Sequence, residues 1–130
     1  MIYLDTSAIV TLLSRRQYAR ELGEYLASRP STPMATSSLG FVETVRTMDQ
    51  VGDFPSLMRE LARDFTEILL TDEVRNAAAT LPGSARTLDA VHVASAQIMG
   101  DALDVLISYD KRMLDVAKEI GLPVAAPGLI

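Results

Sequence analysis

Four acidic residues stand where solvation alone explains a carboxylate poorly: Asp5, Glu43, Asp89 and Asp110. Asp5 directly follows the apolar Ile2-Tyr3-Leu4, and Asp110 follows Val105-Leu106-Ile107-Ser108-Tyr109. Each therefore lies at the carboxyl end of a stretch that reads as a buried strand. If those strands are neighbours, two carboxylates meet at one sheet edge, at a Coulombic cost of order 1 kcal/mol or more that a cation or a shared proton would offset. Magnesium is the simplest compensation. Glu43 lies beside the apolar stripe of a helical segment, with Arg46 three residues on. Asp89 falls in the first turn of the almost wholly apolar Leu88-Asp89-Ala90-Val91-His92-Val93-Ala94-Ser95-Ala96.

Taken singly, most of these residues have plainer duties. Asp89 is a first-turn acid favoured by the helix dipole, Asp110 a cap for the helix after it, and Glu43 a snorkelling surface charge or a partner of Arg46. Asp5 alone favours chemistry, since an aspartate ending a buried strand has few structural duties. His92, on an apolar helix, reads first as a hydrogen-bonded core histidine, with contact to the site as the alternative. Asp104 and Asp115 read as solvated charges, although Asp115 is about one turn beyond Asp110.

The residue inventory narrows the chemistry. The chain has no cysteine and one histidine, so a metal would be held by oxygen, which favours magnesium or manganese. A ribonuclease mechanism built on a histidine pair lacks its second member. Gly-rich phosphate loops, G-x-S-x-G and cysteine nucleophiles are all missing. A net charge of −5 argues against a general nucleic-acid binder, but bound divalent ions would reverse the field at an acidic site.

The elements that must position these residues follow from periodicity. With 130 residues, 48% of them hydrophobic, residues 1–130 suit a single domain. Strands are expected at Ile2–Leu4, Met34–Thr36, Ile68–Leu70, Val105–Ser108 and Val124–Ala126. Helices are expected at Ser7–Ser14 with Thr6 or Ser7 as cap, at Gln17–Ser28, and at Leu39–Asp49 capped by Ser37 or Ser38. Further helices are expected from Pro55, with Asp53 as cap, to about Phe65, from Thr71 to before Pro82, and from Leu88 to about Gly100 with Thr87 as cap. Gly121 and Pro123 close the last helix. Buried strands alternating with helices imply an α/β fold, a mostly parallel sheet covered on both faces, with its site at the carboxyl ends of the strands. The loop Leu81–Arg86 is the best candidate for a mobile segment. The amino terminus reads as structure, with no leader or membrane span, so cytoplasmic residence is the default.

At these residues the sequence resembles the PIN-domain nucleases, and among them the VapC-type toxins of toxin–antitoxin modules. The likeness spans the chain: Met1-Ile2-Tyr3-Leu4-Asp5-Thr6-Ser7, the helix with Glu43 and Arg46, the run from Leu88 to Ala96, and Ser108-Tyr109-Asp110-Lys111-Arg112. The resemblance implies a three-layer fold around a five-stranded, mostly parallel sheet and an acidic pocket holding magnesium or manganese. It implies Asp5, Glu43, Asp89 and Asp110 as metal-binding, catalytic acids. Thr6 or Ser7 and Ser108 would be polar neighbours, and Arg46 a nearby charge partner. It further implies cleavage of an RNA phosphodiester by metal-activated water, leaving 3′-hydroxyl and 5′-phosphate ends, a VapB-type antitoxin and a homodimer. The stripes at Tyr18–Leu26 and Phe54–Phe65 are candidate partner surfaces, with core-facing roles at least as suitable, and Arg15, Arg16, Lys111 and Arg112 could line the pocket mouth.

Three rival readings are open to test. A haloacid dehalogenase-type phosphohydrolase wants a second aspartate two residues beyond the first, where this chain has Ser7. A receiver-like module, with Asp72 as phospho-acceptor and Lys111 as its lysine, expects paired acids after the first strand and leaves Glu43 and Asp89 unexplained. A catalytically inactive PIN-fold binding module would not need the intact four-acid set.

Overall fold

In the computed structural model, which describes residues 1–130, five strands form one sheet in the order β3-β2-β1-β4-β5. The strands are β1 (Ile2–Leu4), β2 (Met34–Ser37), β3 (Phe65–Ile68), β4 (Val105–Ile107) and β5 (Val124–Ala125). Every pairing is parallel, and β1 meets β4 in the register Ile2↔Val105, Leu4↔Ile107. The chain winds from β1 outward to β3, then returns to β4 on the other side of β1. The order thus reverses between β1 and β4, which makes their carboxyl ends the crevice where α/β sheets bind ligands.

Seven helices cover the sheet: α1 (Thr6–Ser14), α2 (Ala19–Ala27), α3 (Ser38–Met48), α4 (Leu57–Asp64), α5 (Asp72–Ala79), α6 (Thr87–Gln97) and α7 (Lys111–Glu119). The strand alternation divides the core in two. Ile2, Leu4, Val105 and Ile107 pack on one face with Ile9, Leu22, Phe41 and Leu61. Tyr3 and Leu106 face the opposite way, against Val93, Ala96, Met113 and Val116. A three-layer arrangement follows, as the buried character of β1 and β4 requires. No helix is long and apolar enough to cross a membrane.

Four boundaries differ from expectation for identifiable reasons. The third strand is Phe65–Ile68, not Ile68–Leu70: as an edge strand it pairs only with β2, so it buries Phe65 but leaves Thr66 and Glu67 exposed, and the apolar Leu69-Leu70 lies outside it. The helix expected from Pro55 starts at Leu57, and its cap position is Ser56 without a side-chain bond. Thr87 is the first residue of α6 rather than its cap, and α6 ends at Gln97, before a 3₁₀ turn at Gly100–Ala102. The cap of α1 is Asp5 itself, not Thr6 or Ser7.

Candidate active site

Asp5 is 2% exposed, and both of its carboxylate oxygens accept hydrogen bonds. Oδ1 accepts from the Ala8 N–H at 2.9 Å and from Ser7 Oγ at 2.7 Å, while Oδ2 accepts from Ser108 Oγ at 2.6 Å. Ser108 Oγ in turn accepts the Asp110 N–H at 3.0 Å, and Ser7 Oγ accepts that of Tyr109 at 2.9 Å. The two serines thereby clip the ends of β1 and β4 together. Asp5 has a structural duty that the sequence reading denied it, since it caps α1. Burial raises its pKa, opposed by the charge of His92 and by the hydrogen bonds from Ser108, Ser7 and Ala8.

Glu43 reaches the same crevice from α3. Its Oε1 accepts from Thr6 Oγ1 at 2.6 Å and lies 2.7 Å from His92 Nε2. The other nitrogen of His92 is 2.7 Å from Tyr3 Oη, which also accepts the Ser37 N–H at 3.2 Å. His92 bridges the Tyr3 hydroxyl and the Glu43 carboxylate through its two ring nitrogens. A buried relay of Ser37, Tyr3, His92 and Glu43 thus ties strand ends to two helices. Desolvation alone would raise the pKa of Glu43, but the bonds from His92 and Thr6 outweigh it and the net shift is downward.

Asp89 and Asp110 complete the set from the amino-terminal ends of α6 and α7. Asp110 caps α7, accepting from the N–H groups of Arg112 at 3.0 Å and Met113 at 3.5 Å. Asp89 Oδ2 is buried and has no hydrogen-bond partner. Its pKa is raised by desolvation and then by the charge of Asp110, against the opposing charges of Arg86, His92 and Arg112. A carboxyl group whose folded pKa lies above its unfolded value gives most stability when protonated and loses that contribution as pH rises. At neutral pH its charge is therefore a burden on the fold. Asp89→Asn is expected to raise the melting temperature in chelator at pH 7, with the difference shrinking toward about pH 4, where the unfolded carboxyl protonates. Thermal denaturation across that range checks it.

All four acids line one cavity of about 380 Å³, together with Thr6, Ser7, Thr11, Arg16, Thr47 and His92, and only Val10 and Met113 add apolar wall. No three acidic or histidine side chains stand close enough together in this arrangement to hold one ion. Arg46 is exposed and makes no ion pair with Glu43, whose partner is His92. Ser108 bonds Asp5 without lining the cavity. Asp115, Lys111 and Arg112 are exposed and outside it. The sequence reading ranked His92 as a core residue first, and it is both buried and in the site. It missed Thr11, Thr47 and Tyr3. For the threonines, one α1 position and one α3 position among many polar ones, no sequence signal marks the lining.

The PIN domain family model matches residues 2–119. The chain is 38% identical to Ribonuclease VapC46 of Mycobacterium tuberculosis, over 97% of each chain. It is 37% identical to Ribonuclease VapC47 of the same organism, over 100% of this chain and 99% of that one. Among solved structures, a toxin–antitoxin complex from Klebsiella pneumoniae superposes with a TM-score of 0.75 at 22% identity, covering 98% of each chain. FitAcB from Neisseria gonorrhoeae gives 0.69 at 17% identity with both chains fully covered, and these two likenesses speak to fold.

Proposed function

Because this chain belongs to the PIN-domain family, we propose that it is a magnesium- or manganese-dependent endoribonuclease, the toxin of a type II toxin–antitoxin pair. The observation that carries the reading is the convergence of Asp5, Glu43, Asp89 and Asp110 on one polar cavity at the strand-order reversal. Relatives named as ribonucleases at 36–38% identity support the reaction class.

The residues fit a hard divalent cation by donor chemistry. Every candidate ligand is a carboxylate oxygen, and Asp89 Oδ2 is a buried acceptor with no partner inside the protein. Asp5, Glu43, Asp89 and Asp110 would hold the ion, their side chains drawing closer together around it than they stand in its absence. When bound, the metal supplies a water of lowered pKa and neutralises charge on the attacked phosphate.

The protein's own groups do the rest. Ser7 and Ser108 fix both oxygens of Asp5, so its carboxylate cannot rotate away from the cavity. Thr6 and His92 hold Glu43 by one oxygen and leave the other for a ligand or a proton. Desolvation and then the charge of Asp110 raise the pKa of Asp89, which makes its carboxylate a readier proton acceptor than a free aspartate. Opening the phosphodiester to 3′-hydroxyl and 5′-phosphate ends needs no histidine pair. Asp72, acceptor in the receiver-like alternative, lines a different cavity that Lys111 does not reach.

A VapB-type antitoxin and a second copy of the chain belong to this proposal, as does work in the cytoplasm, where RNA is encountered. Of the two partner stripes, α4 and the turn before it leave Val51, Phe54 and Met58 exposed, which makes that face the better antitoxin surface. Incubation with structured RNA is expected to yield discrete fragments with 5′-phosphates in magnesium or manganese and none in chelator. Equal cleavage in chelator would remove the metal from the mechanism.

A further inference from the structure

An acidic cleft that cuts RNA needs a place for the phosphates flanking the cut, and Arg16 is the one basic residue among the twelve in the chain that lines the carboxylate cavity. It makes no ion pair with any acid there, nor does Arg15 with any acid elsewhere. Arg16 also lines a second, adjoining cavity of about 590 Å³ with Arg15, Gln17 and Tyr18, in the turn between α1 and α2. Arg20 and Glu21 also line that cavity, and Arg20 is engaged by Glu21 at 3.1 Å and by Glu24 at 3.2 Å. The unpaired positive charge is therefore concentrated on Arg15 and Arg16.

The backbone that presents them is held in an unfavourable conformation. Arg15, at the carboxyl cap of α1, has φ 55° and ψ 33°, and Tyr18 has φ 73°. The cap position is one glycine usually takes, because a Cβ is strained there. The turn is braced from outside. The Tyr18 ring stacks on Tyr109 with centroids 5.4 Å apart and planes 8° apart, and Tyr109 Oη donates to the Pro127 carbonyl at 2.8 Å. Gly128 passes so close to Tyr18 that a Cβ there would sit 2.8 Å from the ring. Backbone strain sustained by surrounding packing is a mark of functional sites.

We propose that the α1–α2 turn is a phosphate-binding shelf, with Arg16 and Arg15 receiving consecutive backbone phosphates of the RNA strand that leaves the carboxylate cavity. Arginine suits this task because its planar guanidinium meets two phosphate oxygens at once. The shelf rests on the nuclease reading but binds independently of the metal.

The test uses the full-length protein, bulk transfer RNA as probe, and chelator, so that binding is read without cleavage. Arg15→Gly and Arg16→Ala are each expected to weaken binding by several-fold, and the double variant to lower the slope of log affinity against log salt by about 1.4, near 0.7 per lost contact. Arg63→Ala, the same charge change on α4 and outside both cavities, is expected to leave affinity and slope within twofold of wild type. Arg15→Gly should also melt at the same temperature or about 2–4 °C higher, since it relieves the cap strain. Loss of binding in a variant that is no less stable separates a phosphate contact from a folding defect. Wild-type affinity and salt slope in the double variant would overturn the shelf, as would wild-type protein that does not bind the probe. Cleavage in manganese, measured separately, judges the nuclease reading.

Discussion

Asp5→Asn is expected to lower RNA cleavage by at least about a thousandfold, the equivalent of about 4 kcal/mol of transition-state stabilisation, while the protein stays folded. The two effects separate because Asp5 does two jobs. As a cap it needs one oxygen to accept the Ala8 N–H, and asparagine serves that position as well as aspartate. Its amide nitrogen would donate to Ser108 Oγ, reversing the present bond and depriving the Ser108 hydroxyl proton of its acceptor, at a cost of about 1 kcal/mol. As a ligand it needs negative charge, and the amide has none. Asp5→Ala should lose the cap as well, at a further cost of about 1 kcal/mol in stability. Cleavage kinetics beside thermal melts of the two variants check both halves.

His92→Ala is expected to be the most destabilising single change in the site, by about 2–4 kcal/mol, because it opens a cavity in the core and strands a buried hydroxyl. Tyr3 is completely buried, and without Nδ1 its hydroxyl loses its 2.7 Å partner. A drop in melting temperature of about 10 °C follows for a chain of this size. Tyr3→Phe keeps the volume and should cost about 1–3 kcal/mol, from the unpaired Nδ1 and the unpaired Ser37 N–H. A variant of His92 that melts with wild type would show that the relay from Ser37 to Glu43 does not support the fold. Cleavage should fall in His92→Ala, where Glu43 retains only Thr6 to set its side chain.

The parts of this molecule that were legible in its sequence are those where one residue type has one physical use. Ile2-Tyr3-Leu4 and Val105-Leu106-Ile107 are apolar without alternation, and only a strand covered on both faces suits them. Ser37, one of two caps expected for its helix, and Thr71, expected to open its own, each accept from the N–H three residues on. The edge strand β3 was less legible because one-sided pairing relaxes the demand for apolar residues, and Leu69-Leu70 looked more strand-like than Thr66-Glu67. Within the site, strand ends pointed to Asp5 and Asp110. Glu43 and Asp89 sit on helices, where an acid has several ordinary uses, and the family pattern was needed to single them out. The pairing of Glu43 with His92 rather than Arg46 was beyond reach of spacing: Arg46 is three residues away on one helix, whereas His92 arrives from another helix across 49 positions. Helix packing, not local sequence, decides that choice.

Whether this carboxylate cavity cuts RNA is decided by sequencing cellular RNA 5′ ends after induction of the wild-type protein and of Asp5→Asn at matched abundance. New 5′-phosphate ends at a restricted set of positions, present with wild type and missing with the variant, are the predicted result. The same ends at equal frequency from Asp5→Asn would contradict the assignment of the site.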